Sequence, residues 1–325
     1  MNLTLGNPDL PDTPDWVLSV DGMTAQGPNL SHWPGNRTPA KFKADLSTGI
    51  CLRLAKASQE VQQDFLGEAT VAVNDHYDTD GFLSLLSVLH PAIALERESV
   101  LLEAAATGDY QAFQTRRGFA IDRIVLNLAA PQSPVRHHFE GLAGPAKDFA
   151  RYQWLLDHAV EVLDDFEKFA VLYQEELELV EHQLQDSSIV CQHSANSQLA
   201  CITSTAPIHR MALNSLAGSC YCVLHTEFKN QAPHYRFHDR TESWFEVQSF
   251  TPAARRDLSP LVEALKELEP ADASAQWCCD PVDEPVPELY YGVPTTQTYG
   301  QITRVLRPSK LMHDQVESLF TEFFA

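Results

Sequence analysis

Positive charge is scarce in this chain: 23 lysines and arginines stand against 44 aspartates and glutamates in 325 residues, a net charge of −21. Binding a long nucleic acid depends on cationic side chains that neutralise phosphates, so this balance excludes a general footprint for duplex DNA or RNA. No apolar run approaches the length needed to cross a bilayer. The opening Met1-Asn-Leu-Thr-Leu-Gly-Asn-Pro-Asp has neither the basic start nor the apolar centre of a secretory signal. Seven cysteines, an odd number scattered over the chain, argue against a disulfide framework. Cys220-x-Cys222 and Cys278-Cys279 lack the spacing of a structural zinc site. Walker loops, nucleophile elbows, Gly-x-Gly-x-x-Gly turns and internal repeats are absent as well. A cytoplasmic, reduced protein without membrane contact is expected, and 44% hydrophobic residues suffice for ordinary cores.

What is present centres on Val71-Ala-Val-Asn-Asp-His-Tyr-Asp-Thr-Asp-Gly-Phe-Leu-Ser84. Val71, Ala72 and Val73 read as a buried strand, and the apolar run from Phe82 to Leu89 reads as a helix. Between them His76, Asp78 and Asp80 alternate. Side chains two apart in extended chain point the same way, so an imidazole and two carboxylates project together from a strand end. So much negative charge in one place calls for a cation, and oxygen with imidazole favours manganese over iron, zinc or magnesium. A calcium loop fits poorly, because Ser87 stands where a bidentate glutamate is wanted. A helix cap, with Asp80 accepting from free amides and the other acids merely solvated, is the bland alternative.

The pattern His76-x-Asp78-x-Asp80-Gly81-x-x-Ser84 resembles the first signature of the DHH phosphoesterase superfamily. That resemblance implies an α/β fold with a mostly parallel sheet flanked by helices, followed by a second, smaller α+β domain. It further implies a second-motif aspartate, for which Asp109 is the first candidate and Asp122 the second, and an Asp-His-His loop. Val135-Arg-His-His-Phe-Glu-Gly offers His137 and His138 for that loop, with Arg136 in place of the aspartate. Arg136 could hold a phosphoryl or carboxylate group bidentately.

On this reading residues 1–145 form the metal-binding domain, 146–186 a helical linker, and 187–325 a substrate or cap domain. In the first, Leu30-Ser-His-Trp-Pro-Gly-Asn-Arg-Thr-Pro39 is either a rigid loop presenting His32, Asn36 and Arg37 to an anionic substrate or a Trp-anchored surface loop. In the last, the Gly-Gly-Gly-His substrate motif of the superfamily is missing. His209 and Arg240, from two basic clusters, are offered as substrate contacts or as structural groups.

The chemistry expected is hydrolysis of a small phosphorylated or nucleotide-like substrate by metal-activated water. Arg37, His137 and His138 would stabilise charge on the phosphoryl oxygens. A degenerate, non-hydrolytic ligand-binding relative and a metal enzyme of different chemistry are the alternatives. The oligomeric state, a homodimer included, is left open.

Overall fold

A computed structural model describes residues 1–194, 198–270, 272, 274–298 and 301–325. The chain divides into two compact units, Met1–Leu179 with Phe245–Thr251, and Val180–Trp244 with Pro252–Ala325. No helix among the described residues is long and apolar enough to cross a membrane.

Unit 1 is built on a small, wholly parallel sheet of β1 (Thr4–Leu5), β2 (Leu18–Val20), β3 (Asn29–Leu30) and β4 (Val71–Val73), in the order β1-β4-β2-β3. Leu18, Val20, Leu30, Ala72 and Val73 are completely buried, as parallel strands covered on both faces should be. α1 (Ser47–Lys56) and α2 (Gln59–Leu66) make the crossover from β3 to β4. The helix after β4, α3 (Thr79–Leu89), is buried from Thr79 to Val88. A helix apolar all round belongs inside, and α3 packs against α1, α5, α6 and α7. Burying Phe82, Leu83, Leu85, Leu86 and Val88 is worth on the order of 10 kcal/mol as an upper estimate. The start of α3 is therefore rigidly placed.

Beyond α3 the chain forms α4 (Pro91–Glu96) and α5 (Glu98–Tyr110), broken at Arg97. α6 (Arg116–Asn127), α7 (Gly144–Asp157), α8 (Ala159–Asp164) and α9 (Gln174–Gln185) follow. The expected linker 146–186 is thus a correction. Trp154, Leu155, Val162, Leu163 and Leu172 are core residues, and the stretch is part of unit 1 as far as Leu179.

Unit 2 is the smaller, α+β unit. Its sheet runs β11-β10-β8-β7-β6-β5, with β9 also paired to β10. The strands are β5 (Val190–Ser194), β6 (Leu199–Ser204), β7 (Cys222–Lys229), β8 (Ala232–Asp239), β9 (Gln276–Cys279), β10 (Glu288–Thr298) and β11 (Gln301–Leu306). Among the described residues only β6 and β7 pair in parallel in this sheet. α10 (Arg210–Leu216), α11 (Ser259–Leu268) and α12 (His313–Phe324) complete it.

Candidate metal centre

Three neighbouring parallel strands of unit 1 each deliver a ligand-type side chain just past the carboxyl end, where open α/β sheets bind their ligands. β2 leads directly into Asp21, β3 into His32, and β4 into Asn74, His76, Asp78 and Asp80. The last turn of α5 adds Asp109. The His32 Nε2 atom lies 3.6 Å from Asp21 Oδ1, 3.8 Å from Asp80 Oδ2 and 3.4 Å from Asp109 Oδ2. The His76 Nε2 atom lies 2.9 Å from Asp78 Oδ2 and 3.4 Å from Asp21 Oδ2. Two groups result, Asp21-His32-Asp80 and Asp21-His76-Asp78, each with donor atoms within 4.8 Å of one another, and each able to hold a metal ion. Asp21 belongs to both, one oxygen towards each imidazole. The first group is buried; His76 and Asp78 form a rim about one-third exposed.

The donor set fits cations on its own chemistry. Neither oxygen of Asp21 accepts a hydrogen bond of good geometry, and His32 Nε2 is likewise unpartnered, although all three atoms are buried. Such atoms cost free energy unless something pairs with them. Burial, then repulsion from Asp78 and Asp80, holds the Asp21 carboxyl well above the usual carboxylate range. Burial and the charges of Asp80, Asp21 and Asp78 do the same to Asp109. Burial would lower His76, but Asp78, Asp21 and Asp75 outweigh it and raise the imidazole well above its ordinary value. Asp78 is pushed up by burial and more than brought back by His76 and the Gly81 amide, ending below its usual value. Bound protons offset part of the charge that a cation in this cluster would also offset.

Local sequence explains the placement. Asp21 sits at φ +46°, a left-handed conformation that aspartate tolerates better than most side chains. Gly22 follows because a Cβ there would run into the Asp75 carboxylate. The His32 Nδ1–H donates to the Asp45 carbonyl at 2.7 Å, which leaves Nε2 as a bare lone pair facing the acids. Burial lowers the pKa of this imidazole and so keeps it neutral. Phe245 stacks on the imidazole with ring centroids 3.8 Å apart. Asp78 caps α3 by accepting from the Gly81 amide at 2.7 Å. Asp80, two residues on, accepts from the Ser47 and Thr48 amides at the start of α1, both at 2.8 Å. Asn74 donates to the carbonyls of Val20 and Asp21, tying β4 to β2. The Tyr152 hydroxyl donates to the His76 carbonyl at 2.8 Å and also lies 3.2 Å from Asn74 Oδ1. A Cβ at position 81 would lie 2.6 Å from that hydroxyl, so Gly81 is needed where the cap closes.

The structure brings together His76, Asp78, Asp80 and Asp109 of the residues expected at a metal, and draws in His32, expected at substrate. Asp109 lies in the last turn of α5. Asp122 instead accepts from Thr79 Oγ1 at 2.6 Å and pairs with Arg123. Asp21 escaped notice, although Trp16-Val-Leu-Ser-Val-Asp-Gly repeats the grammar of an apolar strand ending in acid and glycine. Several expectations need correction. Arg136, His137 and His138 form an exposed 3-10 turn in which the imidazoles lie against each other and Arg136 faces Glu140. No ion pair or hydrogen bond of the cluster among the described residues reaches them. Arg37 spends its guanidinium on the Thr24 and Gly27 carbonyls, and Asn36 folds back on its own loop by donating to the Trp33 carbonyl. His209 caps α10 by accepting from the Met211 amide. Arg240 donates to the carbonyls of Asn214 and Gly218 at the end of α10 and pairs with Glu242.

One family model matches residues 8–325, and its description is a family of unknown function, DUF6687. The chain belongs to this family. No curated protein matches the DUF6687 chain. Among solved structures it is similar to PggH, a pGpG-specific phosphodiesterase from Vibrio cholerae, at 12% identity and a TM-score of 0.37, covering 92% of this chain and 80% of that one. Likeness at that level says nothing of what the DUF6687 chain does.

Proposed function

We propose that the protein is a metal-dependent phosphoesterase acting on a small phosphorylated or nucleotide-like substrate, with a two-cation centre of DHH type. The observation that carries this reading is Asp21, a buried carboxylate with both oxygens unpartnered between two separate His–Asp groups. Asp21, His32 and Asp80, with Asp109 beside them, would hold one ion; Asp21, His76 and Asp78 would hold the other. Imidazole and carboxylate donors suit manganese, with iron, zinc and magnesium as the alternatives. When bound, such ions lower the pKa of coordinated water towards neutrality and offset the negative charge of a phosphate.

The chain's own residues do the rest. His32, locked by Asp45 and Phe245, and Asp80, locked by the start of α1, form a rigid inner wall. His76 and Asp78 form the solvent-facing rim and mark the side from which a substrate enters. Trp33, 4.9 Å from His76 between ring centroids, narrows that entrance.

That no ion pair or hydrogen bond among the described residues ties His137, His138 or Arg37 to the cluster favours a second reading, a centre that binds a phosphorylated ligand without turning it over. One experiment decides. Protein reconstituted with Mn2+ is analysed for metal content and assayed with a generic phosphodiester. Two bound ions and hydrolysis support the enzyme, bound metal without turnover supports the second reading, and failure to retain any divalent metal sinks both.

A further inference from the structure

The sheet of unit 2 has two unlike faces. One carries Leu224, Tyr235, Phe237, Leu289 and Tyr291 and is covered by α11 and α12. On the other, Leu213 and Ala217 pack on Ala200, Ile202 and Val223. Beyond that apolar patch the face becomes charged. His225, Arg236 and Tyr290 stand side by side across β7, β8 and β10, and His238 and Glu288 occupy the next row. These positions alternate with the apolar set, so they share the α10 side.

Three guanidinium groups converge here on one carboxylate. Arg210, at the start of α10, hydrogen-bonds Glu288 Oε1, while the Nε atoms of Arg236 and Arg304 lie 3.3 and 3.4 Å from Glu288 Oε2. Arg304 also donates to Asp280 at 3.0 Å. Three cations against two anions leave a surplus of one positive charge, in a chain whose net charge is −21. A network kept for stability would close its buried polar atoms. In this one Arg210 Nη1, Arg236 Nε and Glu288 Oε2 are buried without a hydrogen bond of good geometry. Burial, and repulsion from Arg236 and Arg304 that Glu288 only partly offsets, pulls the Arg210 guanidinium below its ordinary value. Burial, then Arg236 and Arg210, push His225 down to about 4, so it adds no charge of its own.

We propose that this face of unit 2 is a binding site for a phosphate group, with Arg210, Arg236 and Arg304 as its donors. Guanidinium forks arriving from three elements suit an oxyanion with three free oxygens better than a flat carboxylate. Arg236 is one-third exposed, so the site opens to solvent. The proposal does not rest on the metal centre and can stand or fall without it.

The test is calorimetric titration of inorganic phosphate into the full chain stripped of divalent ions, so that the acids of unit 1 repel the probe. Arg236→Gln should weaken phosphate binding about tenfold or more, a charge-assisted bond's worth. Glu288→Gln should strengthen it, because it removes a competing anion. That gain is a result a structural network would not produce. Acetate should compete poorly and a phosphate monoester at least as well as phosphate. No phosphate binding by the folded wild type, equal affinity in all three proteins, or displacement by acetate as readily as by phosphate would overturn the assignment.

Discussion

Replacing Asp21 with asparagine separates a metal centre from an ordinary acidic cluster, because the effect changes sign with the conditions. Asn keeps the shape of the side chain and is neutral at every pH, whereas the buried Asp21 carboxyl must hold a proton that the unfolded chain releases. Its amide can donate to the neighbouring acids that repel the carboxylate. In EDTA above neutral pH the variant should therefore be more stable than wild type by about 1–3 kcal/mol. With Mn2+ the order reverses. Wild type gains RT ln(1 + [L]/Kd), about 2.7 kcal/mol at a hundredfold excess over Kd. For a domain of this size that is roughly 5–10 °C in Tm. Asp21→Asn, lacking the shared ligand, should gain little. Differential scanning of both proteins in EDTA and in Mn2+ gives the four numbers needed. A variant less stable in EDTA that still takes the full metal shift would refute the role assigned to Asp21.

Two further outcomes follow from the same charges. In metal-free protein the raised carboxyls of Asp21 and Asp109 and the raised imidazole of His76 hold protons that the unfolded chain has released, so stability falls as pH rises. His32, whose value is lowered, acts the other way below about pH 6.5; urea melts between about pH 7 and 9 should thus show the fall, at most ~1.4 kcal/mol per unit for each titrating group, and saturating Mn2+ should flatten it. Asp80→Ala strips acceptors from two buried amides of α1 and should cost about 2–4 kcal/mol in EDTA by denaturant melt; an unchanged midpoint would mean that those amides find other partners.

The alternation of His76, Asp78 and Asp80 was legible because β4 and α3 follow local rules: β-branched residues, a glycine at the turn, an unbroken apolar run. Even there the residues do more than period two suggests. Only Asp78 acts as the cap of α3, and Asp80 already lies within the helix, reaching across to α1. Asp21 was not legible, because one acid after a three-residue strand has the form of any loop aspartate until β2 is seen beside β4. Trp244-Phe-Glu-Val-Gln248 has the aromatic and β-branched residues of a strand, yet Phe245 stacks on His32, Glu246 pairs with Lys43, and the following Ser249 bonds Asp45, all within unit 1. β9, β10 and β11 hid behind the prolines that precede β10.

Asp45 exposes the limit of reading a site from its ligand types. Its carbonyl orients the His32 ring, and its carboxylate accepts from the Gln248 and Ser249 amides. Burial pushes the Asp45 carboxyl up, but the Ser249 hydroxyl and the Gln248 and Ser249 amides, with Arg53, more than offset it and leave the group below its usual value. Nothing in the sequence around Asp45 marks it, since a carbonyl oxygen carries no residue identity and the amides it meets lie about two hundred positions away. A metal site is legible where one segment supplies several donors, and illegible where the fold converts a distant backbone group into the partner that decides which nitrogen of an imidazole is free.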